Sequence, residues 1–415
     1  MPSTHFKGFA LLDCNNFYVS CERVFRPKLN KLPAIVLSNN DGCIIARSRE
    51  VKELGIAMGA PHFKYQHLIK KYNIQLFSPN FPLYADMSDR VMQILYDFSD
   101  QIQIYSIDEA FIPIHFETEK DFIALQQKVT KWTGIPVTIG LGPTKTLAKL
   151  ANYRAKKLNI PFFSLMDPLI HDAVLKETDI HSIWQIGAKT SEKLQKLRIY
   201  NAYELKSTPL DFIQKKINLQ GMRTAIELSG TPCFYPEIHV DPQKSLAYSS
   251  SFGTSITCFE RLKETVIHYT SNAAFKLRSK KRLTRMMSLY LKTNDSSFQK
   301  SLSFNFSTNS TPLLIEGALT LLNQIYQKQI YKKAGIYLWE LSSETENQFD
   351  FRSSENPAHT KLMKTLDQVN NKYGKGTLFY ASEGTTKPWL SKKERLSCEY
   401  TTKLDQILKI DLNQS

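Results

Sequence analysis

Asp13 closes an apolar run, Phe9-Ala10-Leu11-Leu12, and the pair Asp108-Glu109 follows another, Ile102 to Ile107. Two strands laid side by side would gather these three carboxylates about one point. Like charges in one pocket repel and raise each other's pKa, so the cluster is costly without cations. Two Mg²⁺ ions, with Mn²⁺ as a substitute, would neutralise it and clamp a polyphosphate for in-line displacement. Tyr18 lies on the same local element as Asp13. Its ring either belongs to the core or packs against the sugar of a bound nucleotide, where it would exclude a 2′-hydroxyl by shape. Lys52, one turn from Arg49, and Lys156, in an acid-free helix, are either solvated helix cations or donors to a triphosphate.

The elements that must carry these groups are legible from periodicity. A strand through Phe9–Leu12 is followed by the segment 17–25, a strand over 33–37, the turn Asn39-Asn40-Asp41-Gly42 and a strand over 43–46. Leu83, Met87, Val91, Ile94, Leu95 and Phe98 recur at helical spacing. Strands over 102–107 and 137–141 and a helix over 121–132 are expected, and Thr144 caps a helix carrying Lys145 to Lys157. This mixture argues an α/β or α+β catalytic domain over about 1–166. The next seventy residues are helical and polar. There Gly187 and Lys189 sit in a Gly-x-Lys turn that is either an ordinary αα-hairpin or a helix–hairpin–helix whose amides hold a DNA phosphate. Beyond a Pro-bearing linker, strands over 246–256, 286–293, 301–306 and 336–341 alternate with helices over 259–277 and 313–326, a second α/β module.

At 415 residues the chain should hold two to four domains. The formal charge of +15 favours a polyanionic partner. Two stretches, Phe122 to Met166 and Thr265 to Asn294, contain no acid, and the second holds Lys276, Arg278 and Arg285. Each is either a solvated face or a nucleic-acid contact. No apolar stretch spans a bilayer, so no membrane partner is expected. The N-terminus lacks a signal pattern, and six scattered cysteines read as reduced thiols, which points to the cytoplasm.

The runs Asp13-Cys14-Asn15-Asn16-Phe17-Tyr18, Asn39-Asn40-Asp41-Gly42, Tyr105-Ser106-Ile107-Asp108-Glu109-Ala110-Phe111 and Thr144-Lys145-Thr146-Leu147-Ala148-Lys149 resemble the Y-family of translesion DNA polymerases. Gly374-Lys375-Gly376-Thr377-Leu378 and Tyr400-Thr401-Thr402 resemble the tail of its UmuC branch. The resemblance implies an α+β multidomain right hand. Palm would occupy 1–30 and 78–166, fingers 31–77, a helical thumb with the helix–hairpin–helix 167–235, a linker 236–245, an α/β little finger 246–342 and the UmuC-type tail 343–415. It implies template-directed, low-fidelity DNA synthesis from deoxynucleoside triphosphates on primer–template DNA, in repair and the SOS response. Asp13, Asp108, Glu109 and the Cys14 carbonyl would hold the metals, Tyr18 would be the steric gate, and Lys52 and Lys156 would bind triphosphate. By resemblance alone the partners include a UmuD-like dimer, a RecA filament and the sliding clamp, the last through Gln348, Phe349 and Phe351. A non-catalytic DNA-binding scaffold of the same fold is the competing reading; loss of a carboxylate would favour it, and all three are present.

Overall fold

The computed structural model describes residues 6–235, 243–344 and 357–408. The chain opens with β1 (Gly8–Cys14), buried throughout, and α1 (Phe17–Phe25). β2 (Ala34–Leu37), β3 (Ile44–Arg47), α2 (Arg49–Glu53), α3 (Gln66–Lys71) and β4 (Gln75–Phe77) follow. Next come α4 (Phe81–Phe98), β5 (Gln103–Ile104), β6 (Glu109–Ile114), α5 (Glu119–Thr133), β7 (Val137–Gly142), α6 (Lys145–Leu158) and β8 (Phe162–Ser164). Five short helices complete this part: α7 (Pro168–Lys176), α8 (Ala188–Lys196), α9 (Ala202–Ser207), α10 (Leu210–Lys216) and α11 (Leu219–Leu228). The remainder holds β9 (Ser245–Ile256), α12 (Phe259–Ser279), β10 (Arg282–Lys292), β11 (Ser297–Thr308), α13 (Thr311–Ile325), β12 (Tyr331–Ser343) and α14 (Pro357–Tyr373). Among the described residues no helix is long and apolar enough to cross a membrane.

The strands form a five-stranded sheet ordered β5-β6-β1-β7-β8, a three-stranded sheet β3-β2-β4 and a four-stranded sheet β11-β10-β12-β9. Two compact units result. The first comprises Met1–Ser38, Gly42–Ile238 and Arg395–Ser415; the second comprises Asn39–Asp41 and His239–Glu394.

β1 is central, paired antiparallel with β6 and β7, so its run of apolar residues is covered on both faces. Alternation divides its side chains. Ala10 and Leu12 join a core with Met87 and Val91 of α4 and Phe122 and Leu125 of α5. Phe9 and Leu11 instead pack with Phe111 and Ala148, on the face that α6 covers. Asp13 shares the parity of Phe9 and Leu11, which aims its carboxylate toward α6. The Thr144 hydroxyl oxygen accepts from the Leu147 N–H (3.2 Å), capping α6 as the sequence leads one to expect.

Two expectations fail. The strand foreseen over 102–107 stops at Ile104, and Ser106 Oγ donates to Asp108 (2.6 Å) in a turn that leads into β6. Local side-chain bonding of this kind competes with the ladder. The acidic pair therefore opens a strand instead of ending one. The stretch after 343 is also not one piece: Trp389, 1% exposed, lies in the core of the second unit, whereas Tyr400, 8% exposed, lies in that of the first. Isolated anchors of this kind leave no periodicity to read.

Candidate active site

The strand register builds the acidic centre. Asp13 stands opposite Glu109 across the β1–β6 pair, on one face of the sheet. The Cys14 N–H donates to the Asp108 carbonyl (2.8 Å), which ties the preceding turn to the end of β1. Two lysines of α6, seven positions apart and so on one helical face, meet the two carboxylates. Lys156 Nζ lies 2.5 Å from Asp13 Oδ1 and Lys149 Nζ 2.8 Å from Glu109 Oε2. A cleft of about 270 Å³ opens here, lined in part by Leu11, Asn152 and Trp184.

Burial is the main cause that pushes the Asp13 carboxyl up to about 7; Lys156 opposes it and Glu109 adds to it. For Glu109 burial is outweighed by Lys149 and by its hydrogen bond with Asp13, so its carboxyl is lowered. The Cys14 thiol is raised well above its ordinary value, first by burial and then by the charges of Asp13 and Asp108, leaving the main-chain carbonyl as that residue's donor. Among the described residues no three His, Cys, Asp or Glu side chains already stand as a metal cage. The lysines and Ser106 hold the three carboxylates instead. The all-oxygen donor set still suits a hard cation, and the elevated Asp13 shows chiefly how poorly this buried place solvates a carboxylate.

Lys149 is the residue that sequence reasoning left among the general basic charges. The signal was present, since it lies two turns before Lys156. Its ammonium also stands 4.5 Å over the Tyr105 ring. Lys52 borders a second cleft of about 390 Å³ with Lys156, Arg49 and Asn159. Desolvation, then the charges of Lys156 and Arg47, lower the Lys52 ammonium pKa.

Asn16, with φ of 50°, turns β1 into α1, a conformation that asparagine adopts more readily than most residues. α1 thereby places Tyr18 beside the acidic strand ends. Tyr18 stacks on Tyr84 (centroids 4.5 Å apart, planes at 16°) and meets Phe81 edge-on. Burial and the charge of Asp108 raise its hydroxyl pKa.

Gly187 caps α8, and Gly187 and Lys189 are exposed, but the element before them is a 3₁₀ turn (Ile180–Ser182), not a helix of ordinary length. Lys276 and Arg285 are exposed in the second unit. Arg278 is a correction. Its guanidinium makes a bidentate pair with Asp367 (2.7 and 2.9 Å) and donates to the Asn309 carbonyl, so it is committed to internal packing and not to a polyanion. Arg278→Ala should destabilise the second unit by roughly 3–5 kcal/mol, because Asp367 loses its partner in a poorly solvated place. Denaturant unfolding monitored in the full chain measures this, and DNA affinity at fixed folded fraction should not move. Gln348, Phe349 and Phe351 lie outside the described residues.

Residues 12–153 match the impB/mucB/samB family, 243–351 its C-terminal domain, and 360–410 a domain of unknown function. Protein UmuC of Salmonella typhimurium is 37% identical over 420 residues, covering 97% of this chain and 100% of the relative. Protein ImpB of the same organism is 36% identical over 95% of this chain and 97% of its own. DNA polymerase IV of Bacillus anthracis is 26% identical over 95% and 98%. A solved Y-family DNA polymerase chimera superposes with a TM-score of 0.65 at 19% identity, covering 81% of this chain and 99% of that one, a match of fold. By sequence and by architecture, this chain belongs to the UmuC branch of the Y-family DNA polymerases.

Proposed function

We propose that the chain extends a primer 3′ end on a DNA template, including a damaged one, by phosphoryl transfer from deoxynucleoside triphosphates. The observation that carries this reading is the Asp13–Glu109 pair in strand register beneath Lys149 and Lys156, with the Tyr18 ring alongside. Asp13, Asp108, Glu109 and the Cys14 carbonyl would hold two Mg²⁺ ions, or Mn²⁺ in their place. Such cations supply charge neutralisation and a more acidic primer hydroxyl. Lys156 and Lys52, which line one cleft, would supply the cationic donors to the triphosphate oxygens. Tyr18, near enough to Asp108 to feel its charge, would exclude a 2′-hydroxyl on the sugar of the bound nucleotide.

In this reading residues 1–30 and 78–166 act as palm, 31–77 as fingers, 167–235 as thumb and 246–342 as little finger, with the tail from 343 divided between the core of the second unit, through Trp389, and that of the first, through Tyr400. Gly187, Lys189, Lys276 and Arg285 hold backbone phosphates, which makes affinity fall with salt. The UmuD-like dimer, RecA filament and sliding clamp are the partners, in the cytoplasm. A scaffold without catalysis finds no support, since every carboxylate of the centre is present. Extension past an abasic site by the full chain with Mg²⁺ and four deoxynucleotides, with and without the UmuD-like dimer and RecA filament, tests the reading. Product with an untransformed template requirement supports it; no extension under any of these conditions, even on undamaged template, overturns it.

A further inference from the structure

The segment after Glu394 has no part in the chemistry above, yet it is linked to Tyr18 through Glu22 and Tyr84. Arg395 exchanges two hydrogen bonds with Ser78: its N–H donates to Ser78 Oγ (2.9 Å), and the Ser78 N–H donates to its carbonyl (3.0 Å). Asn80, whose Oδ1 caps α4 by accepting from the Leu83 N–H, donates its amide to Ser397 Oγ (2.9 Å) and the Cys398 carbonyl (3.1 Å). Tyr400 stacks on Phe25 (4.8 Å, 9°) and accepts from Arg26 Nε (2.8 Å). These contacts hold the segment against α1 and the start of α4.

Between those helices lies Glu22, fully buried. A carboxylate in such a place needs donors. One of its oxygens, Oε1, accepts from Tyr84 Oη (2.7 Å) and from Ser397 Oγ (2.9 Å), while Oε2 has no partner among the described residues. One donor thus comes from α4 and the other from the C-terminal segment. The Tyr84 ring, held by its hydroxyl, is the ring on which Tyr18 stacks.

We propose that Ser397 and Tyr84 are positioning residues for the sugar gate, so that the C-terminal segment sets the discrimination between deoxy- and ribonucleotides. The inference rests on the reading of Tyr18 as that gate. Without the Ser397 hydroxyl, Glu22 keeps Tyr84 as its one donor among the described residues and draws it toward a new optimum; the stacked Tyr18 ring follows. A gate that works by van der Waals contact is sensitive to displacements of a fraction of an ångström.

The test uses the full chain carrying Ser397→Ala, Ser397→Thr, Tyr84→Phe or Tyr18→Ala, with 3-fluorotyrosine installed at position 18 in all but the last. Two quantities are read: the ratio of kcat/KM for a deoxynucleotide to that for its ribonucleotide, which does not depend on the folded fraction, and the ¹⁹F resonance of position 18. Ser397→Ala and Tyr84→Phe should each lower the ratio roughly fivefold, the scale of one lost hydrogen bond, and shift the resonance. Ser397→Thr should restore both. An unmoved ratio in both variants, while Tyr18→Ala loses discrimination, overturns the inference and leaves the gate intact. Unchanged discrimination in Tyr18→Ala overturns the gate reading itself, and the ¹⁹F shift then reports separately whether the segment sets the ring.

Discussion

Asp13→Asn should reduce templated extension about a thousandfold or more, the scale on which a transition-state charge partner is felt when removed. The asparagine keeps the shape of the side chain opposite Glu109 but removes half of the carboxylate pair in register. Single-turnover extension with saturating deoxynucleotide is the measurement, and a variant retaining more than about a tenth of the wild-type rate would sink the metal assignment. The loss should not be a loss of fold. In the cation-free chain the Asp13 carboxyl is raised from 3.8 to about 7, chiefly by burial, so the folded state prefers it neutral. Its contribution to stability is fully present below 3.8 and is lost as pH rises through about 7. A permanently neutral asparagine escapes that loss. Without divalent cations, Asp13→Asn should therefore melt at or above the wild type at pH 8, and the gap should close toward pH 4. A variant that melts well below the wild type at pH 8 contradicts the assigned cause of the shift.

Gly140→Ala should destabilise the first unit by about 3 kcal/mol or more and disable the site with it. A Cβ at Gly140 would stand 2.2 Å from the Asn152 nitrogen and 2.4 Å from the Ala148 carbonyl oxygen. Both are backbone atoms of α6 and cannot rotate away. Gly142 is as tight, with a Cβ 2.5 Å from the Ala148 nitrogen. The two glycines of β7 let the helix lie directly on the sheet, and that closeness is what brings Lys149 and Lys156 to the carboxylates. Displacing α6 would lift both ammonium groups from their partners. Urea unfolding of the full chain checks the first effect and extension by the residual folded fraction the second. Gly187→Ala is the control: a Cβ there meets nothing within 4 Å. A Gly140→Ala protein as stable as that control would show that the helix can yield at little cost.

Much of this was legible in the chain itself. β1, α4, β7 and α6 each have one dominant period, and their bounds fall within a few residues of those expected. The four strands and two helices of the second module alternate as foreseen. The turn at Ser106–Asp108 was not, because Ile102 to Ile107 is apolar enough to read as a strand while the Ser106 hydroxyl decides otherwise. Arg278 was misread for a related reason. An arginine in an acid-free stretch looks available for DNA, but its partner Asp367 lies 89 residues away. Local charge patterns cannot report a distant counterion.

The reaction centre's ingredients can be read along the chain: three carboxylates at the edges of apolar runs, a tyrosine nearby and a basic helix after a Thr cap. These are local properties, set by residue type and by periods of 2 and 3.6. Which groups meet is set by contacts between distant parts of the chain. The β1–β6 register puts Asp13 opposite Glu109, and the glycines of β7 admit the helix whose lysines neutralise them. Ser397 returns to Glu22, beneath the Tyr84 ring on which Tyr18 stacks. Strand register and close backbone approach depend on partners remote in sequence, whose cost in chain entropy is offset only when the whole core assembles.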